Sequence, residues 1–200
     1  MSPYAIGYES DFTEQRSRLT TFFRPLMVIP LYLVAIVYAI GAVLAIIGAW
    51  FALLFTGRFP EGLYGFLGGV NRYMTRLNAY QWLLTDTYPP FDLGEHPEYP
   101  VRVPIAPAQE SYNRVKVFFR PILAIPVMLI GYAMNMLASI CSFLAWFYIV
   151  ALGRQSPGLQ DATNLGTSYL CKAGGYYSLL TESYPPFSQD HGAGQPAANA

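Results

Sequence analysis

From Leu26 to Phe55 the chain reads LMVIPLYLVAIVYAIGAVLAIIGAWFALLF, thirty residues without a charged side chain. A helix rises about 1.5 Å per residue and the hydrocarbon layer of a bilayer is about 30 Å thick, so about 20 apolar residues already suffice to cross it. The run is too long for one upright crossing, and no water-soluble domain of this size needs it. A second run, Phe118 to Leu152, follows at a fixed offset of 96 residues (Phe22 to Phe118). With 54% hydrophobic and only 12% charged residues, the 200-residue chain falls in the membrane class.

Aligned without a gap, residues 18–91 and 114–187 are identical at 25 of 74 positions, which makes the chain a tandem repeat. The shared segments include Phe22-Phe-Arg-Pro25 with Phe118-Phe-Arg-Pro121, Ala49-Trp-Phe51 with Ala145-Trp-Phe147, and Tyr88-Pro-Pro-Phe91 with Tyr184-Pro-Pro-Phe187. The division this implies is a first repeat over 1–91, a polar linker over 92–98, a second repeat over 99–187, and a tail over 188–200. The tail is rich in small and polar residues and is expected to be disordered.

Within a repeat, Thr13 to Phe23 predicts a helix capped by Thr13, and Pro30 predicts a kink. Gly57 and Pro60 predict the end of the apolar helix. Leu63 to Leu84 places apolar residues at helical spacing opposite Asn71, Arg72, Thr75, Arg76 and Asn78, the pattern of an amphipathic helix that lies in the membrane interface or covers the hairpin from the water side. Tyr4, Ile6 and Tyr8 alternate with polar residues, as do Val101, Val103 and Ile105, and the neighbouring prolines suit edge strands that could pair at the surface. The fold class expected is an all-α integral membrane protein with a minor β element.

Each long run can cross once or fold back as a helical hairpin. A single crossing places seven Lys and Arg (Arg58 to Arg120) opposite five, with no usable bias. Hairpins put all twelve on one face, which the preference of basic residues for the cytoplasmic side favours. Against the hairpin, neither Gly41 nor Asn135 to Leu137 supplies a polar turn. The hairpin is the preferred expectation, with the single crossing left open.

No residue set reads as catalytic, cofactor-binding or metal-ligating. Net charge is zero and basic patches interleaved with aromatics are missing, so nucleic acid is excluded as a partner. Cys141 and Cys171 read as small buried residues. His96 and His191 read as solvated loop residues. The apolar runs contain no acidic residue, which argues against a proton relay. Two candidate sets remain. Arg24, Arg58, Arg72, Arg76, Arg120 and Arg154 are placed to meet lipid headgroups, their stems in the apolar layer. Ala42, Ala45 and Ala49 form a small-residue face for helix packing, and Asn135, Ser139 and Ser142 a polar face at i, i+4 and i+7 that suits hydrogen bonding between helices.

The motifs Arg18 to Arg24, Ile29-Pro30, Ala49 to Pro60 and Leu83 to Phe91, present in both copies, resemble the DUF4389 family of bacterial membrane proteins. The second copy departs from the pattern at Gln155-Ser156, which replace Phe59-Pro60. The resemblance implies a tandem membrane protein and carries no activity or cofactor. The functional expectation is a non-enzymatic accessory or scaffold subunit of a membrane complex, its partners the bilayer and other subunits or itself. It would sit in the bacterial inner membrane with basic segments and termini facing the cytoplasm. The alternative is a small transporter or lipid-handling protein using the interface between the repeats.

Overall fold

The computed structural model describes residues 4–187. Six helices and one two-stranded sheet account for its regular structure: β1 (Glu9–Ser10), α1 (Arg18–Met27), α2 (Ile29–Thr56), α3 (Glu61–Gln81), β2 (Val101–Arg102), α4 (Arg114–Phe118), α5 (Arg120–Leu152) and α6 (Pro157–Tyr177). The alternating segments of the sequence do pair: Glu9 faces Arg102, Ser10 faces Val101, and an isolated bridge joins Ile6 to Ile105.

The hairpin expectation is corrected. α2 and α5 are unbroken through Gly41 and through Asn135 to Leu137, helices of 28 and 33 residues, or about 42 and 50 Å by helical rise. Nothing at those positions competes with the next helical hydrogen bond, and apolar surroundings leave a freed carbonyl no partner, so the helix continues. The chain stops where the sequence supplies a cap. Gly57 and Gly153 adopt φ of 71° and 73° and return their N–H groups to Leu53 and Ile149.

Two smaller boundaries also move. α1 begins at Arg18 behind Ser17, whose hydroxyl accepts from the Thr20 amide, because Gln15 and Arg16 are drawn into extended contact with Arg154 and Gly153. Pro30 lies in the first turn of α2, where its missing N–H costs no hydrogen bond, and the bend falls at Val28 instead.

α3 runs back along α2, with Tyr73 donating to the Leu31 carbonyl at 2.8 Å and Phe66 lying against Gly41. α6 returns along α5 in the same way. α3 and α6 then cross at the centre, where Asn71 donates to the Cys171 carbonyl at 3.2 Å and a Cβ on Gly175 would overlap Ile6. The result is three layers: the long helices outermost, α3 and α6 in the middle, and the sheet and linker on the far side. α3 is therefore not a surface cover. It is packed on both sides and buries Asn71, Thr75 and Arg76 along with Leu67, Tyr73 and Leu77.

The copies are related by an approximate twofold, and each grips the other. The Arg16 amide donates to the Gly153 carbonyl at 3.0 Å and the Tyr112 amide to the Gly57 carbonyl at 2.9 Å. Trp146 Nε1 donates to the Thr21 carbonyl and Trp50 Nε1 to the Val117 carbonyl, both at 3.0 Å. Each pair maps onto its mate by the offset of 96. So does the sheet: exchanging the copies turns the Ile6–Ile105 bridge into the Glu9–Arg102 pair. The twofold passes through the sheet.

Candidate functional site

The outer layer presents an apolar face. The large hydrophobic side chains with the greatest exposure lie on α1, α2, α4 and α5 and at the Phe119 junction, with Phe12, Phe91, Tyr184 and Phe187 as the exceptions among the described residues; none is on α3 or α6. Along α2 only the stripe of Leu31, Ala35, Ala45, Ala49 and Leu53 is buried, while Leu33, Ile36, Val37, Ile40, Val43, Leu44 and Ile47 are exposed. The opposite face is charged. Arg102 bridges Glu9 and Asp11, Arg72 pairs with Glu95, and His96 lies 2.9 Å from both Asp92 and Glu98. Hydrogen bonding to those two carboxylates raises the His96 pKa, and the same contact lowers that of Asp92.

Two cavities of ≈ 490 Å³ each open on the apolar face at twofold-related places. The first lies where α1 passes the C-terminal half of α5, the second where the start of α5 passes the C-terminal half of α2, and each has an arginine in its wall. The first is lined by Arg24, Pro25, Val28, Leu83, Ser142, Phe143 and Trp146, among others. The second replaces these with Arg120, Pro121, Ala124, Leu179, Ile46, Ile47 and Trp50.

The arginines are held by the turn that follows the short helix of each copy. After α3, Leu83 takes a left-handed φ of 63°, and the Leu84 amide reaches back to the Ala79 carbonyl at 2.9 Å. Leu179 repeats this after α6 with φ 62°. A left-handed leucine costs about 1–3 kcal/mol, offset because both side chains are buried. The turn points carbonyls inward. Arg24 Nη1 donates to the Tyr80 and Thr85 carbonyls at 2.6 and 2.7 Å, its Nη2 meets Asp86 at 2.5 Å, and the Tyr80 ring lies 4.4 Å beneath the guanidinium. Burial lowers the Arg24 pKa, and Asp86 works against that shift.

The second arginine has less. Arg120 Nη2 donates to the Thr181 carbonyl at 2.9 Å, and its guanidinium stands 4.0 Å over the Tyr176 ring. Among the described residues it has no ion pair, and its Nε and Nη1 have no hydrogen-bond partner. Glu182, in the place of Asp86, bonds the Asn113 amide and lies 3.7 Å from Lys116.

The expected sites are therefore divided. Arg24, Arg76 and Arg120 are 2–5% exposed and reach inward, toward carbonyls of the chain rather than out to solvent. Arg58 and Arg154 are exposed at the ends of α2 and α5, and Arg72 faces the linker. Ala45 and Ala49 are buried and Ala42 partly so, in the core cluster that Leu63 and Phe66 of α3 also join rather than against the other long helix. Ser139 and Ser142 line the first cavity, while Asn135 is exposed. His96 has carboxylate partners, and His191 lies outside the described residues, as does the tail. Both cysteines are free and buried, and burial pushes the Cys171 thiol up to about 11. The residues that sequence reading passed over are Asp86, Tyr80, Tyr176 and Trp146. The signal was present in the change from Asp86 to Glu182 within an otherwise matched Leu-Leu-Thr-x-x-Tyr-Pro-Pro-Phe segment.

The profile described as a domain of unknown function, DUF4389, matches residues 18–92 and again 114–189. The chain belongs to that family. No curated protein and no solved structure matches it. The DUF4389 chain thus holds two copies of its domain, locked together by exchanged termini, with two helices long and apolar enough to cross a membrane.

Proposed function

We propose that this DUF4389 protein lies within one leaflet of a membrane instead of crossing it, and acts there as a non-enzymatic scaffold. The observation that carries the reading is the position of the charged sheet, on the twofold and on the far side of α3 and α6 from the apolar helices. If α2 and α5 stood upright, the twofold would lie in the membrane plane. Glu9, Asp11, Arg102 and the irregular linker would then sit at mid-depth in lipid, where unsatisfied backbone costs several kcal/mol per group and a charge about 2.5–3.5 kcal/mol. Laid flat, the apolar layer faces acyl chains and the sheet faces water. Both ends of each long helix then reach the same side, so the basic residues beyond those ends share one side without a hairpin.

That side is assigned to the cytoplasm by the preference of Lys and Arg for it. The role that fits is to present the sheet and linker as a docking face for other subunits of a membrane complex. A solute path between the repeats is not favoured, since Ile6, Asn71, Gly174 and Gly175 pack to contact at the crossing.

The test uses single cysteines in a Cys141→Ala/Cys171→Ala background, in sealed vesicles of known orientation. Arg58→Cys and Thr87→Cys stand at opposite ends of α2 and should react with an impermeant maleimide from the same side. Labelling from opposite sides would establish a crossing and end the proposal. Crosslinking in membranes that recovers no second protein and no second copy would remove the scaffold role.

A further inference from the structure

Among the described residues, the buried cation of the second cavity has no counter-ion. Arg120 is 5% exposed, its Nε and Nη1 lack partners among those residues, and the carboxylate that neutralises Arg24 in the first copy is turned away toward Lys116 in the second. A buried guanidinium in such surroundings is costly unless an anion meets it. Neutral acceptors are already near it: the Thr181 carbonyl takes Nη2 and the Tyr176 ring covers one face. Ile46, Ile47, Trp50, Phe51 and Ala124 line it together with Pro121, Tyr177 and Leu179, largely apolar walls continuous with the exposed face. A small hydrated anion gains nothing from those walls. An anion carrying hydrocarbon does.

We infer that the cavity between α2 and the start of α5 binds the phosphate of an anionic phospholipid at Arg120, with an acyl chain along Ile46, Ile47 and Phe51, and that the first cavity does not select for charge because Asp86 already occupies Arg24. The inference rests on the proposed seat in a leaflet, and its test separates the two. Trp50 lines the second cavity and Trp146 the first. Two single-tryptophan proteins, one keeping Trp50 and one keeping Trp146 with the others changed to Phe, are placed in phosphatidylcholine vesicles. A small fraction of brominated lipid is then added, either phosphatidylglycerol or phosphatidylcholine.

Brominated phosphatidylglycerol should quench Trp50 at about one tenth of the mole fraction that brominated phosphatidylcholine requires, the scale of one charge-assisted hydrogen bond. Trp146 should show no preference. Arg120→Gln should abolish the preference while quenching by phosphatidylcholine persists. Asp86→Asn, which frees Arg24, should create a preference at Trp146 and needs no change at Arg120. Equal quenching of Trp50 by both lipids overturns the site but leaves the leaflet reading standing, whereas no quenching by either overturns the leaflet reading. Loss of the preference on adding millimolar inorganic phosphate overturns a lipid as the ligand and assigns the site to free phosphate.

Discussion

Arg24 and Arg120 occupy the same place in the two copies, each over a tyrosine ring and under the same left-handed leucine turn, yet one is neutralised within the protein and the other is not. The acidic residue beside them differs by one methylene, Asp86 against Glu182, and that alone would not separate an ion pair. A neighbouring cation differs as well. Position 116 is Lys, where the first copy has Thr20, and Lys116 lies 3.7 Å from Glu182. Asp86 accepts the matching Ser17 amide at 2.9 Å with one oxygen and closes on Arg24 at 2.5 Å with the other. A duplicated frame thus keeps its backbone geometry while the charges around the buried arginine differ between the copies.

The sharpest way to break this comparison is to remove each arginine in turn. Arg24→Ala strips two carbonyls and a carboxylate of their donor and should cost about 3 kcal/mol in chemical unfolding in detergent, in the range for opening a buried pair. Arg120→Ala, which has no ion pair to lose, should cost about half as much, and equal losses would erase the distinction.

The crossing of α3 and α6 gives a second contrast. Gly175 stands where the first copy has Ala79, and a Cβ there meets Ile6. Gly175→Ala should cost about 1–3 kcal/mol by overpacking and be partly rescued by Ile6→Ala. The reverse change in the first copy, Ala79→Gly, should cost only about 1 kcal/mol through helix propensity, as followed by the unfolding midpoint.

Exchanging the rim residue sharpens the account. Lys116→Thr should let Glu182 turn to Arg120, raising stability by up to about 1 kcal/mol and removing the charge preference read by Trp50; Thr20→Lys should loosen Asp86 from Arg24. If neither moves, Lys116 is not the cause.

The smallest effect concerns the linker. The His96 pKa is raised by its carboxylates, so its contribution is complete below its ordinary value and lost as pH rises through the raised one. Asp92 is lowered, so its share is lost only as pH falls through that lower value. Amide exchange around Gly94, which donates to Asp92 at 2.7 Å, should therefore quicken above the His96 titration and again in strong acid, without a change in the second copy.

The sequence by itself determined the duplication, the two apolar runs, the glycine stops and the short paired strands, because each is a matter of composition, spacing or local backbone freedom. It also showed the Lys116 and Asp86-to-Glu182 changes without showing what they meant. Tertiary structure decided the rest. Whether a run of thirty apolar residues folds back depends on partners for its backbone, and none exists at Gly41. The flat orientation we propose for the long helices rests on where the charged sheet falls relative to the twofold, a relation between segments some 90 residues apart that no periodicity records. The arginines most conspicuous in the sequence are turned inward by carbonyls of a leucine turn, since a guanidinium goes where acceptors converge, and that convergence exists only in the folded chain.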